Sequence, residues 1–508
     1  MLDSLRPHVL SHPLLLFAIC LVVQRALGRT VAGSFAGKVP ATFSAKVAGT
    51  WVSLAFGALF LTILCLNVAV PAYVDHVEPS VAALSWTVMR GEDAYPPPDS
   101  GAIYGLPYGP MLFLLYGAVM KIVGPGITAS KAGAGLASAT SLVLVAIAAR
   151  RAYGGRWPRV LMWTAILYLA FGGAALWLRS EPLLMLCAGL AALALSLPST
   201  WGAMVMGVAL GVGINLKISA FIYLFPAIVV MLKKHGVTAV ALVMVVAAVA
   251  AALPFLLFEN ISASGYLYWV RTTAGHGFRL RALPSALEWA AFISIPLGLF
   301  ARGQEQDSRL LSWLLVAMIC ASVPLATKHG TGVYHFLPFV PLILFAATGR
   351  GEVPSRLGAF LGAGVILAML QIWPWIVVSA ALPAREIAGE LRRIEQSSSG
   401  TVAMGYSRNY RLSFFRPVLV FDGQPNLLDG ASAMDAAWSG RPFPRALIDA
   451  MRSCSVANWV IPSGGSPFDL PNAYGEREVF PAEFRQAFHE RYQLRESGRW
   501  FDVWTCAR

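Results

Sequence analysis

The chain has 508 residues, of which 57% are hydrophobic and 13% charged, with a mean hydropathy of +0.63 and a formal net charge of +13. Soluble domains carry roughly 25% charged residues, so a chain this apolar cannot cover itself with polar surface, and a string of soluble domains is excluded. From Pro383 onward acids and bases nearly balance, so the basic excess lies in the apolar part. There it serves topology and anionic headgroups; no basic helix or basic-aromatic module speaks for nucleic acid.

The first element is a short apolar run, Pro13–Val23, followed by Arg25 and Arg29 and by no small-residue cleavage site. It reads as an extra short helix or as an interfacial one. Eleven stretches then read as membrane spans: Thr50–Ala69, Ala132–Ala149, Val160–Leu178, Pro182–Leu197, Ala203–Asn215, Ala220–Leu232, Val237–Phe258, Ala286–Phe300, Leu310–Ala326, Val333–Ala347 and Leu357–Ala380. With the N-terminal run the count is about eleven or twelve. The stretch Leu106–Val123 is also apolar but is broken by Pro107, Gly109 and Pro110.

The positive-inside rule arbitrates. If Leu106–Val123 does not span, Arg150, Arg151, Arg156, Arg159, Lys233, Lys234, Arg302, Arg309, Arg350 and Arg356 are cytoplasmic, and fewer basic residues fall outside. The same topology keeps Arg25, Arg29, Lys38 and Lys46 inside. It leaves a long outer loop, Pro71–Lys131, with two segments expected to lie on the membrane surface, Glu78–Arg90 and Leu106–Val123. Residues 1–49 are then a cytoplasmic or interfacial segment, 50–382 the transmembrane module and 383–508 an extracytoplasmic domain.

That last domain has frequent charges and short apolar runs. Thr401–Gly405, Val418–Asp422, Trp459–Pro462 and Trp500–Cys506 read as strands, and Arg385–Glu395, Pro444–Arg452 and Glu483–Tyr492 as helices, giving a small α/β domain. Cys454 and Cys506 both lie in it and are the pair expected to bridge in an oxidising compartment. The cysteines Cys20, Cys65, Cys187 and Cys320 sit in apolar stretches and pack.

Charges at a membrane boundary are costly and become functional candidates. Asp75 and Glu78, just past the first span, suit a general base or a helix cap. Arg179 and Glu181 form a charged turn, readable as a site or as a local salt bridge. Lys217, after Gly211 and Gly213, either snorkels to headgroups or meets a phosphate. Lys328 and His329, with Tyr334 and His335 close behind, suit a lipid-linked phosphate. The loop Glu259–Leu283 carries Tyr266, Trp269, Arg271, His276, Arg279 and Arg281.

In order and spacing these features resemble the GT-C superfamily of polytopic glycosyltransferases that use polyprenyl-phosphate sugars, and within it the aminoarabinose transferase and protein O-mannosyltransferase-like group. The resemblance covers most of residues 50–350. It rests on the acid after the first span, the run GEDAYP from Gly91, Tyr108-Gly-Pro110, the RRAYGGRW turn from Arg150, the RSEP turn from Arg179, the glycine-rich stretch ending in Lys217, and KHGTGVYHFLP from Lys328. It implies a GT-C-like helical membrane fold in the inner membrane, with the C-terminal domain in the periplasm. It implies inverting transfer of a sugar from a polyprenyl-phosphate donor to an extracytoplasmic glycan, lipid or protein.

Asp75 or Glu78 is the implied base. Lys328, His329, Arg179 and Lys217 are implied on the donor phosphate, and Glu181, Tyr104, Tyr108, His335, Tyr334, Arg271 and His276 on the substrate. No cofactor is required, since a lipid phosphate leaves readily; where a divalent metal is used, Asp75, Glu78 and Glu181 are the available ligands. A flippase of a lipid-linked sugar would call for internal repeats, which are not found. A glycan ligase would rely on the outer arginines around Arg271–Arg281.

Overall fold

The computed structural model describes residues 12–34, 41–299, 306–348, 357–475 and 477–507. Lys38, Arg302, Arg350 and Arg356, assigned to the inside by the charge rule, lie outside the described residues, as do the side chains of Arg29 and Lys46. The chain divides into two compact units. The first comprises Met1–Asn67, Gly135–Ala251 and Phe278–Val377, and the second Val68–Ala134, Ala252–Gly277 and Val378–Arg508.

The first unit is a helical bundle. Among the described residues of the chain, five helices are long and apolar enough to cross a membrane: Gly49–Ala69, Ile127–Tyr153, Ser199–Leu216, Ala220–Leu257 and Gln306–Ala326. Shorter apolar helices, among them Ser180–Leu195 and Gly358–Ile372, fill in between. The protein is thus a multi-pass helical membrane protein. The helix Ser180–Leu195 is buried around almost its whole circumference, as a helix apolar on all sides must be.

A 38-residue helix such as Ala220–Leu257 would be about 57 Å long, far more than the roughly 30 Å of a hydrocarbon core. It is broken at Gly236, whose φ of 78° only glycine adopts without strain, so it is two helices. The break follows Lys233, Lys234 and His235, and Lys233 pairs with Asp307 at 3.0 Å.

The N-terminal run is part of a 22-residue helix, Pro13–Ser34, packed in this bundle rather than lying apart. Gln24 meets Gly358 and Cys20 meets Gly362, so the helix runs antiparallel to Leu357–Ala381. His12 Nδ1 lies 2.6 Å from Glu288 Oε1 on the helix Leu283–Leu299.

Two expected spans differ from the reading in extent or in helix type. The helix Trp157–Ala170 stops early and a 3-10 turn, Gly172–Ala175, follows. Val333–Ala347 begins as a 3-10 helix, Val333–Phe339, and becomes α-helical at Val340–Thr348, because Pro338 brings no N–H to a helical ladder.

The second unit corrects the reading of the first long loop. Glu78–Met89 is a helix, but it does not lie on a membrane surface: all its residues except Trp86 and Met89 are buried. It packs against the helix Pro110–Val123 on one side and Pro417–Phe421 on another. Its even spread of Ala, Val and Leu leaves no polar face, which is why it is enclosed. Pro110–Val123 keeps an exposed apolar end at Ile122 and Val123.

The C-terminal segment carries a four-stranded sheet in the order β1-β2-β4-β3, with β1 Val402–Met404, β2 Asn458–Pro462, β3 Tyr492–Ser497 and β4 Phe501–Cys506. β1 pairs parallel to β2, and the other pairings are antiparallel. Val418–Asp422, expected as a strand, is the helix Pro417–Phe421; Pro417 at its first position presets a helical φ, and the β-branched valines are overridden by packing. β3 was not expected, since its exposed, charged sequence shows no apolar alternation. Cys454 and Cys506 form a disulfide with a Cα–Cα distance of 5.9 Å, closing a separation of 52 residues.

Candidate functional site

In the first unit, five of the expected residues converge. Arg179 is extended and ends one segment; Ser180–Leu195 starts directly after it, so Glu181 sits in the first helical turn, where a carboxylate complements the helix dipole. Glu181 is 1% exposed. Its Oε1 accepts from Lys217 Nζ at 3.3 Å and from Ser180 Oγ at 3.3 Å, and its Oε2 lies 3.8 Å from Arg179 Nε.

Lys217 caps the helix Ser199–Leu216 in an extended conformation that turns its side chain out of the helical row. Its ammonium also lies 3.4 Å from His335 Nε2, whose Nδ1 lies 3.2 Å from the Tyr223 hydroxyl. Arg179 donates to the Tyr334 hydroxyl at 3.0 Å and stacks over the rings of Trp177 and Tyr334 at 4.5 and 4.8 Å. Tyr334 in turn stacks on His335. Burial pushes the Lys217 ammonium down from its ordinary value; Glu181 pulls it back up and Arg179 adds to the fall.

Two cations thus share one buried carboxylate, with an imidazole and two phenols around them. Cations held largely out of water in this way are placed where an anion gains most from them. Lys328 forms a short antiparallel bridge with Phe278, its charge is felt by His335, and its half-buried ammonium is pushed down by burial. His329 follows it and is half-buried.

In the second unit, Asp75 and Glu78 part company. Glu78 is 2% exposed, and its Oε2 accepts the backbone N–H of Val74 at 2.8 Å and of Asp75 at 2.9 Å, so it holds the turn that leads into its own helix. The Asp75 side chain is 17% exposed. One oxygen accepts from Val77 N–H at 3.0 Å, and the other lies 3.5 Å from His76 Nδ1. Below the turn, Lys131 is fully buried and donates to the carbonyls of Val70 and Ala72 at 3.0 and 3.1 Å, while Tyr73 meets Ser130 at 2.7 Å.

The remaining candidates of this unit play supporting parts. Tyr104 donates to the Asp93 carbonyl at 3.1 Å, and the carbonyl of buried Tyr108 accepts from Tyr95 at 2.6 Å. Arg271 is exposed. His276 is buried, 3.8 Å from Asp435, and its carbonyl accepts from Trp438 at 3.1 Å.

Sequence reasoning missed Tyr223, Lys131 and the buried pair of Arg416 and Asp429. A tyrosine inside the apolar run AFIYLF and a lysine one turn into an apolar helix were signals of buried polar contacts. Among the described residues, no group of three or more His, Cys, Asp or Glu is arranged to hold a metal ion.

The fold of this chain is found among solved structures. It is similar to ArnT from Cupriavidus metallidurans, solved bound to undecaprenyl phosphate, with a TM-score of 0.54 at 13% identity, over 89% of this chain and 97% of ArnT. It also overlaps the Archaeoglobus fulgidus oligosaccharyltransferase in its apo form, with a TM-score of 0.44 at 10% identity, over 81% of this chain and 69% of that one. The arabinosyltransferase EmbB from Mycobacterium smegmatis gives 0.42 at 12% identity, over 67% of this chain and 33% of EmbB. No family model matches the sequence, and no curated protein does.

Proposed function

We propose that this protein is a membrane glycosyltransferase that moves a sugar from a polyprenyl-phosphate donor to an extracytoplasmic glycan, lipid or protein, with inversion. The observation that carries the reading is the cluster of buried Arg179, His335 and Tyr223 with half-buried Lys217 and Tyr334 around the buried Glu181. The likeness to ArnT supports the same donor class, since that protein was solved with undecaprenyl phosphate.

In this reading Lys217 and Arg179 hold the donor phosphate, and Glu181 keeps both cations aimed and charged. Asp75 is the base. It is the more exposed of the two acids, whereas Glu78 is committed to two backbone N–H groups. An acceptor hydroxyl or amine attacks the anomeric carbon as its proton passes to the Asp75 carboxylate. The new bond to the acceptor forms, the bond from the anomeric carbon to the phosphate oxygen breaks, and the lipid phosphate departs with the electron pair. Each of these steps uses groups of the chain itself, so no resident metal is assigned. The Cys454–Cys506 bridge supports an oxidising compartment for the C-terminal domain, hence a periplasmic location and an inner-membrane bundle.

The test is transfer of radiolabelled sugar from a polyprenyl-phosphate donor in membranes. Asp75→Asn is expected to lower the rate about a hundredfold or more, the usual contribution of a general base. EDTA treatment is expected to leave the wild-type rate unchanged. Full activity of Asp75→Asn would remove Asp75 as the base, and loss of activity on chelation would require a metal.

A further inference from the structure

One cavity in the second unit is not used by the reaction just described. It measures about 480 Å3, within the roughly 300–1,000 Å3 of small-ligand sites. Its cationic wall is Arg441 and Arg477, its apolar wall Pro442, Phe443 and Pro481, and Ile103 reaches in from the first long loop. That loop is tied to the C-terminal segment by main-chain bonds: Ile103 N–H donates to the Leu427 carbonyl at 2.8 Å, and Asp429 N–H donates to the Ile103 carbonyl at 2.9 Å.

Both guanidinium groups are pre-oriented. Arg441 stacks over the Tyr268 ring at 4.9 Å. Arg477 stacks over Trp438 at 5.5 Å and donates to the carbonyls of Ala437 and Trp438. Among the described residues neither meets a carboxylate. Glu478, the acid of the same wall, is paired with Arg485 at 2.9 Å. Planar forks fixed in this way match a carboxylate or phosphate with two parallel hydrogen bonds, and a ring with prolines beside it offers a face for the C–H side of a sugar.

We propose that this cavity is the acceptor subsite and that the acceptor it takes is an anionic saccharide, one whose sugar bears a carboxylate or a phosphate. The word acceptor rests on the transferase reading above; the binding of an anionic sugar stands without it. The site is distinct from the Arg179–Lys217 cluster in its residues and in what it recognises, a sugar with its charge rather than a lipid phosphate alone.

The full-length protein in detergent is titrated calorimetrically with trigalacturonate, glucose 6-phosphate and maltotriose. The proposal predicts that at least one anionic probe binds about tenfold or more tightly than neutral maltotriose. It predicts that Arg441→Gln weakens that binding by a similar factor while affinity for a polyprenyl phosphate is unchanged. The Arg441 side chain makes no hydrogen bond to the chain among the described residues, so this variant answers even where Arg477→Gln loses its carbonyl contacts and fails to fold. Equal binding of all three probes, no binding of any, or an unchanged Arg441→Gln would overturn the proposal. A protein that binds the anionic probe yet transfers no sugar from any polyprenyl-phosphate donor would keep the site and sink the transferase reading. One that transfers sugar but binds the three probes alike would do the reverse.

Discussion

Asp75 and Glu78 show how two acids three positions apart are given different work by the backbone. The N–H groups of Val74 and Asp75 point into the Glu78 carboxylate, which is thereby a structural acceptor. Hydrogen bonds to a charged acceptor contribute about 1.5–3 kcal/mol each, so the turn depends on Glu78 being there. Glu78→Gln keeps an oxygen to accept both bonds but loses their charge assistance. It is expected to lower thermal stability by about 1 kcal/mol and to keep transfer within about tenfold of wild type, read by thermal unfolding in detergent beside the radiolabel assay. A collapse of activity in a folded Glu78→Gln protein would move the base to Glu78. Glu181 is different again. With 1% exposure and two cations on it, its removal would leave Arg179 and Lys217 buried without their counter-charge, which costs about 3–5 kcal/mol.

At the scale of elements, close helix packing in the bundle depends on small residues. A Cβ on Gly211 would lie 2.4 Å from the Ala247 carbonyl oxygen, and one on Gly207 2.9 Å from that of Val243, so Ser199–Leu216 approaches its neighbour at a small-xxx-small face. Gly211→Val must force the two helices apart, and a loss of about 2 kcal/mol or more of stability is expected in thermal unfolding. An unshifted midpoint would contradict the packing. In the C-terminal domain, Cys454→Ser with Cys506→Ser is expected to destabilise by about 2–4 kcal/mol, checked by the unfolding midpoint of the double variant against the oxidised wild type.

Elements were legible where a single force decided them. The long apolar runs gave the bundle, and the segment read as Leu106–Val123 keeps its end at Val123 but begins as a helix only at Pro110. Val418–Val420 misled because β-branched residues were read without Pro417 before them. The helix Glu78–Met89 misled because an apolar segment beside charges looks interfacial until both of its covering partners are known.

For the whole molecule, what the sequence withheld was distance along the chain. The second unit is built from three separated segments, and the bonds between Ile103 and Leu427 or Asp429 join residues more than three hundred positions apart. Arg179, Glu181, Lys217 and His335 each stood out alone because charge at a membrane boundary is expensive. Their meeting, and the part of Tyr223 in it, came only with the fold. The central claim is that this cluster holds a lipid phosphate. It is tested most directly by determining the structure of the protein in lipid nanodiscs with a polyprenyl phosphate bound. The account predicts phosphate oxygens within hydrogen-bonding distance of Lys217 Nζ and the Arg179 guanidinium; phosphate bound elsewhere, with neither side chain touching it, would contradict it.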